Sequence, residues 1–131
     1  MEGEHLLIAS GAPWESTVGY SRAVRVGRQV FVAGTTAVDE HGGVIGEGDP
    51  YRQTSVILAK IDAALVAAGA SLKDVVRTRI FVTDMGDADH VGRAHGEAFA
   101  HIRPASTLVQ ISRLIDSRLL VEIEADAVIS A

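Results

Sequence analysis

The spacing of hydrophobic and polar residues changes several times along the chain, and each change marks an element. From about Ser21 to Val38, "RAVRVGRQVFVAGTTAV" alternates apolar and polar positions on either side of "VGR", which predicts a β-hairpin. "DEHGGVIGEGD" then has the composition of a turn and loop. Asp49 and Pro50 supply an N-cap and a first-turn proline, and the alanine-rich "YRQTSVILAKIDAALVAAG" reads as a helix that Gly69 stops. Ser71 and Asp74 have capping-box spacing around one short turn, and "VVRTRIFVTD" follows as a strand carried into Asp84. A second helix is expected from about Asp87 to His101, with Val91, Ala94 and Ala98 turned toward a sheet. "STLVQISRL" and "LLVEIEADAVI", joined by "IDS", close the chain as two strands.

This order, β-β-α-β-α-β-β, has no linker, repeat or low-complexity tract, and it predicts one α+β domain over residues 1–131. Two helices would lie on one face of a mainly antiparallel or mixed sheet. The strands "VFVAG", "RIFV" and "TLVQI" are too apolar for the other face to be left to water, so self-association is expected.

Composition narrows the function classes. The chain has no cysteine, which removes disulfides, thiol nucleophiles and cysteine zinc sites, and it suits a cytoplasmic protein. Its 17 acids against 12 Lys and Arg leave a formal charge of −5 with no basic stripe, which argues against a nucleic-acid partner. "MEGEHLLIASGAPW" is acidic with a short apolar run, and fits neither a secretory signal nor a membrane span.

The last strand poses the main chemical question. In "VEIEADA", Glu122, Glu124 and Asp126 share one face while Val121, Ile123 and Ala125 share the other. The acids either show a polar face to water, or one of them faces a subunit cleft and handles a water or a proton. His90, His95 and His101 fall on different faces of a regular helix and cannot share one metal, so no metal site is expected; His95 alone is a candidate to line a ligand site. "GGVIGEGD" precedes a helix, but its acids and the missing Lys-Ser/Thr exclude a phosphate loop. Ser10, Ser21 and Ser106 lie in no nucleophile elbow. Arg103, set before Pro104 at a strand entrance, offers a planar fork for the carboxylate of a small organic acid, or is a solvated arginine or one paired with Glu97 or a neighbouring subunit's acid.

Together, "VGYSRAVRVGRQVFVAGTTAV", "RIFVTDM", "RPASTLVQISRL" and "LVEIEADAV" resemble the RidA/YjgF family of reactive-intermediate deaminases, also called L-PSP proteins, over nearly the whole chain from Val18 to Ile129. The resemblance implies a chorismate-mutase-like α+β fold with a six-stranded sheet, a homotrimer, and ligand clefts between subunits. It also implies hydrolysis of enamines or imines to 2-keto acids and ammonia, without a metal or organic cofactor. By that resemblance Glu122 is the acid that positions water, Tyr20 is the cleft tyrosine, and Ala33 and Gly34 match the family's "S-G" pair. Gly92 falls near the family's cleft asparagine. Ser106 stands where the deaminases carry the arginine that grips the substrate carboxylate, and Arg103 is the nearest guanidinium in sequence to replace it. The expected function is therefore a Rid-type hydrolase of an imine, enamine or related C–N metabolite; the alternative is a non-catalytic member of the fold that binds a metabolite or a protein. RNA cleavage is attached to parts of the family, and the acidic composition argues against it here.

Overall fold

The computed structural model describes residues 4–130; the first three residues of the acidic N-terminal stretch lie outside them. Six strands form one sheet in the order β1-β2-β3-β6-β4-β5. They are β1 (His5–Ile8), β2 (Ala23–Val26), β3 (Gln29–Thr35), β4 (Val75–Val82), β5 (Ala105–Gln110) and β6 (Val121–Val128). All neighbours are antiparallel except β4 and β5, which run parallel and are bridged by a helix. The sheet is therefore mixed, with β6 at its centre.

The hairpin forms where the alternation places it. β2 and β3 pair across Gly27, whose φ of 61° suits a residue with no Cβ. Helix α1 (Pro50–Ala67) starts at Asp49, whose side chain accepts a hydrogen bond from Arg52 N at 3.0 Å. It ends in a Schellman arrangement: Ala70 N donates to Leu65 O at 2.8 Å and Gly69 N to Val66 O at 3.0 Å, with Gly69 at φ +86°. The following turn is the expected one, with Asp74 Oδ2 accepting from Ser71 N at 3.0 Å. Helix α2 (Ala88–Phe99) is shorter than the periodicity suggests at both ends. Its last turn breaks at Arg103, which adopts φ 56° while its N–H donates back to Phe99 O at 2.8 Å.

Three boundaries differ from the sequence pattern for local reasons. β4 stops at Val82, because Asp84 caps a short turn instead, accepting from Gly86 N at 2.8 Å. β5 stops at Gln110, and residues 111–120 form a long connection held by Arg118 on Asp116. β1 is the strand that alternation missed: the run Leu6, Leu7 and Ile8 does not alternate, and it becomes a strand only by pairing with β2 from His5↔Val26 to Ile8↔Ala23.

The helices cover one face of the sheet. Val30, Val32, Ile80, Val82, Val121, Ile123, Ala125 and Ala127 point into that core against Ile57, Ile61, Leu65, Val91 and Phe99. Buried polar residues there are bonded: Gln53 Nε2 donates to Arg118 O at 2.9 Å while its Oε1 accepts from Leu120 N at 2.8 Å. The other face is open. Cross-strand registers put Leu7, Val24, Phe31 and Asp126 in one row, and Glu122, Phe81 and Val109 in another. Phe31 is 44% exposed and Leu7 62% exposed, which is the unpartnered apolar surface that the strand composition anticipates.

Candidate functional site

The three acids of β6 have different surroundings. All three lie on the open face, since their neighbours Val121, Ile123, Ala125 and Ala127 are buried. Arg79 sits opposite Glu124 on β4, and its Nη1 is 3.2 Å from both Glu124 Oε1 and Asp126 Oδ2. Those two acids therefore share one guanidinium on the sheet surface. Glu122 faces Phe81 instead and makes no hydrogen bond or ion pair among the described residues. Burial holds its carboxyl above the usual glutamate range, Arg22 pulls it back, and Glu124 pushes it up again.

A bulge in β3 makes room for this carboxylate. The register steps from Val32↔Ala125 to Thr35↔Ile123, so Ala33 and Gly34 together oppose one residue of β6. Val32 and Thr35 both point into the core, and Gly34 lies beneath Glu122. A Cβ built on Gly34 would stand 2.1 Å from Glu122 Oε2, so only glycine lets the carboxylate lie flat on the backbone.

Glu122 and Gly34 open onto a cavity of about 860 Å³ between the 10–20 segment, the end of β3, the 36–45 loop and α1. Its size and its mostly apolar wall are those of a small-molecule site. A π-type turn (Glu15–Gly19) shapes one wall: the buried Glu15 accepts from Ser10 N at 3.0 Å and from Ser10 Oγ, and its carbonyl accepts from Tyr20 N at 2.9 Å. That places Tyr20 on the cavity lining, with its ring centroid 5.7 Å from Arg22 Cζ. Opposite, Lys60 reaches from α1 to donate to Thr36 O at 2.7 Å and Val38 O at 3.0 Å. Burial lowers its pKa, with Arg22 adding to the effect and Asp39 opposing it. Asp39 also lines the cavity, but its Oδ1 is held by His41 N and Gly43 N, both at 2.8 Å, which keeps its carboxyl below the usual range.

Arg22 is the residue that sequence reasoning missed. It is only 9% exposed; Nη1 donates to Gly34 O at 3.1 Å and to Thr35 Oγ1 at 3.2 Å. Its Nε is buried with no partner, an omission that ordinarily costs about 1–3 kcal/mol. In sequence Arg22 is one polar residue in an alternating hairpin strand, and nothing local marks it as buried.

The remaining sequence candidates form a second group on the other side of the sheet. Ser106 is in register with Thr78, and Thr78 Oγ1 donates to Ser106 Oγ at 2.8 Å and lies 2.9 Å from His95 Nε2. His95 packs on Phe99, with ring centroids 4.6 Å apart, and burial lowers its pKa. Gly92 is one turn earlier on α2, with open space where a side chain would be. Tyr20, Gly34 and Glu122 line the cavity; Ala33 adjoins it in the bulge; His95 and Ser106 meet Thr78 on the helix side of the sheet, and Gly92 is exposed on α2. Arg103 is exposed in the turn after α2, outside the cavity wall, and Glu97 is bonded by Tyr51 Oη instead. No cluster of three or more metal-ligating side chains occurs among the described residues, and no described helix is long and apolar enough to cross a membrane.

The model of the endoribonuclease L-PSP family matches residues 10–129. The chain belongs to this family, which is the RidA/YjgF family. Among solved structures, the Mycobacterium tuberculosis member of the YjgF/YER057c/UK114 family superposes with a TM-score of 0.88 at 48% identity, covering 96% of this chain and 100% of that one. An uncharacterised Streptomyces coelicolor protein is 44% identical over 92% of this chain and 89% of its own length. The 3-aminoacrylate deaminase RutC of Acinetobacter baylyi is 32% identical over 95% of this chain and 97% of its own. Escherichia coli TdcF, solved with bound serine, has a TM-score of 0.78 at 28% identity, over 95% of this chain and 94% of that one.

In this Rid-family chain Glu122 is a half-buried acid whose proton is held more tightly in the folded state than in the unfolded one. In the pH range just above the ordinary glutamate value the folded state binds more protons, so stability falls as pH rises through that range. Replacing Glu122 with Gln removes the penalty. Urea unfolding between pH 4 and pH 8 (roughly the span over which such an acid ionises) should show the stability of Glu122→Gln gaining on the wild type as pH rises.

Proposed function

We propose that this chain is a Rid-type hydrolase that adds water to the C=N bond of a small imine or enamine-derived iminium and releases ammonia. The observation that carries the reading is Glu122, unpaired and laid on Gly34 inside the cavity of a chain related to an aminoacrylate deaminase. A carboxylate so placed accepts a proton from water as the oxygen attacks the iminium carbon, giving a carbinolamine. The same carboxyl then returns the proton to nitrogen; the C–N bond breaks as the hydroxyl oxygen forms the carbonyl, and the hydroxyl proton passes by way of Glu122 to the departing ammonia, which leaves as ammonium. The positive iminium supplies the electrophilicity, so the protein's task is placement. Tyr20 and the backbone at Ala33 and Gly34 shape the pocket.

Assembly belongs to this reading. Glu122 and Ser106 lie on opposite faces of one sheet, so a cleft that uses both draws them from two chains, as in the homotrimer the family resemblance implies. Exposed Leu7 and Phe31 in one row of the open face, and Val109 in another, support burial of that face between copies. A cytoplasmic location suits this chemistry. The second reading, a metabolite-binding member without turnover, is favoured by Ser106: one hydroxyl, already bonded to Thr78, replaces a charge-assisted fork.

The test is release of ammonia and oxo acid from imines generated in situ by an amino-acid oxidase. Light scattering should give a trimer-sized mass for the active wild type. Glu122→Gln should keep that mass and lose about 10²–10⁴-fold in rate; saturable binding with no wild-type turnover would establish the binding-only reading. Gly34→Ala is the sharper variant. Its methyl group meets the mobile end of Glu122 and not backbone, so stability should change by less than about 1 kcal/mol. The displaced carboxylate should still lower the rate by about 10²-fold.

A further inference from the structure

The cations on the cavity wall are already engaged. Lys60 donates to Thr36 O and Val38 O. Arg22 presents no fork to the cavity: Nη1 is bonded to Gly34 O and Thr35 Oγ1, and Nε is buried out of reach of water, which leaves at most Nη2. Among the acids of the wall, Asp39 is held by the backbone N–H groups of His41 and Gly43, and Glu40 stands at the exposed rim, 3.5 Å from His41 Nε2. Glu122 remains, half-buried and with no hydrogen bond or ion pair among the described residues. Arg113 is a further cation near it, but lines a separate depression on the other side of Glu122 and not the cavity.

Such a wall does not suit a ligand carboxylate. A second anion beside Glu122 is repelled by it, and gives up hydration with no guanidinium fork to replace the lost hydrogen bonds. A C–N group without an acid meets the opposite situation, because a carboxyl can both give a proton to nitrogen and take one from water. Glu122 holds its proton more tightly than an ordinary glutamate, which suits delivery to an imine. The rest of the wall, with Trp14, Val18, Ile45, Val56 and Ile115, is apolar, and a volume of about 860 Å³ is far more than the C–N group alone fills.

We infer that the cavity takes an imine that carries no acid group and bears a sizeable apolar substituent, the product of oxidising an amine and not an amino acid. This names the substrate class of the proposed hydrolase and rests on that reading for the reaction. Glu122 gives its proton to the imine nitrogen, and the oxygen of water bonds to the carbon as a water proton returns to Glu122. On breakdown of the carbinolamine the last proton restores the Glu122 acid, and ammonia and an aldehyde or ketone leave. The reaction that supplies the substrate is therefore an amine oxidation. An amino-acid imine meets the same acid and water but brings a carboxylate that the wall does not pair, so it is the slower substrate.

Calorimetric titration with phenylacetamide, phenylacetate and acetamide separates the two requirements, since the first two differ in charge and the first and third in the ring. The wild type should bind phenylacetamide about tenfold or more tighter than either of the others. Glu122→Gln should remove the preference for amide over acid and keep the preference for the ring. In turnover, the wild type should release ammonia from the imine that an amine oxidase makes from 2-phenylethylamine about tenfold or more faster than from the imine that an amino-acid oxidase makes from phenylalanine. Should Glu122→Gln not fold, these wild-type comparisons decide. Phenylacetate bound as tightly as its amide overturns the inference, as do a preference that survives in Glu122→Gln and acetamide bound as tightly as phenylacetamide. Tighter binding of the acid that is lost in Arg113→Gln assigns a carboxylate anchor to Arg113 and overturns it too. Equal hydrolysis of both imines leaves the hydrolase standing and removes the substrate class. Amide-selective binding without turnover keeps the ligand class and removes the hydrolase.

Discussion

At Gly34 the backbone and a carboxylate compete for the same space, and the site is organised around that contact. The bulge at Ala33 and Gly34 returns Thr35 to the core while leaving a bare stretch of backbone on the open face. Glu122 occupies it because β6 is paired on both sides, with β3 and β4, and cannot slip by one residue without sending Ile123 and Ala125 to water. The buried parity of β6 thus aims the acid. The same glycine carbonyl takes Arg22 Nη1, so the positions of the acid and the guanidinium are set by one peptide segment.

Electrostatics then separates three similar acids. Glu124 and Asp126 share Arg79 on a partly exposed surface, where such pairs contribute little to stability, roughly 0–1 kcal/mol each. Their role is to let charged groups lie on a face otherwise lined by Leu7, Phe31 and Val109. Glu122 has no such partner, and the cost of ionising it in its half-buried position is the main source of its raised pKa. A carboxyl whose proton is held more tightly than usual is suited to exchanging a proton with water.

The two sides of the sheet carry different chemistry. The cavity side holds Glu122, Gly34, Tyr20 and Arg22; the helix side holds a hydroxyl pair, Ser106 and Thr78, ending on His95. The sheet itself separates them within one chain, so any collaboration depends on the exposed apolar rows meeting a second copy. In that respect the unpartnered face and the divided site are one feature of the molecule.

Much of this was legible from the amino acids in order. The N-cap at Asp49, the stop at Gly69, the hairpin about Gly27 and the common face of Glu122, Glu124 and Asp126 all follow from local geometry, because helix caps and strand alternation depend on residues a few positions apart. The likeness of "RPASTLVQISRL" and "LVEIEADAV" to the family was equally readable, and the family model spans residues 10–129. What tertiary structure decided was which partner each polar residue meets. Arg79 reaches Glu124 across 45 positions of sequence, and β1 becomes a strand only because β2 lies beside it. Arg22 looks like any solvent-facing arginine of an alternating strand until the end of β3 and the 10–20 segment close over it. Burial and register are set by segments distant in sequence, so the buried guanidinium of Arg22 and the unpaired carboxylate of Glu122 become visible only once the chain has folded.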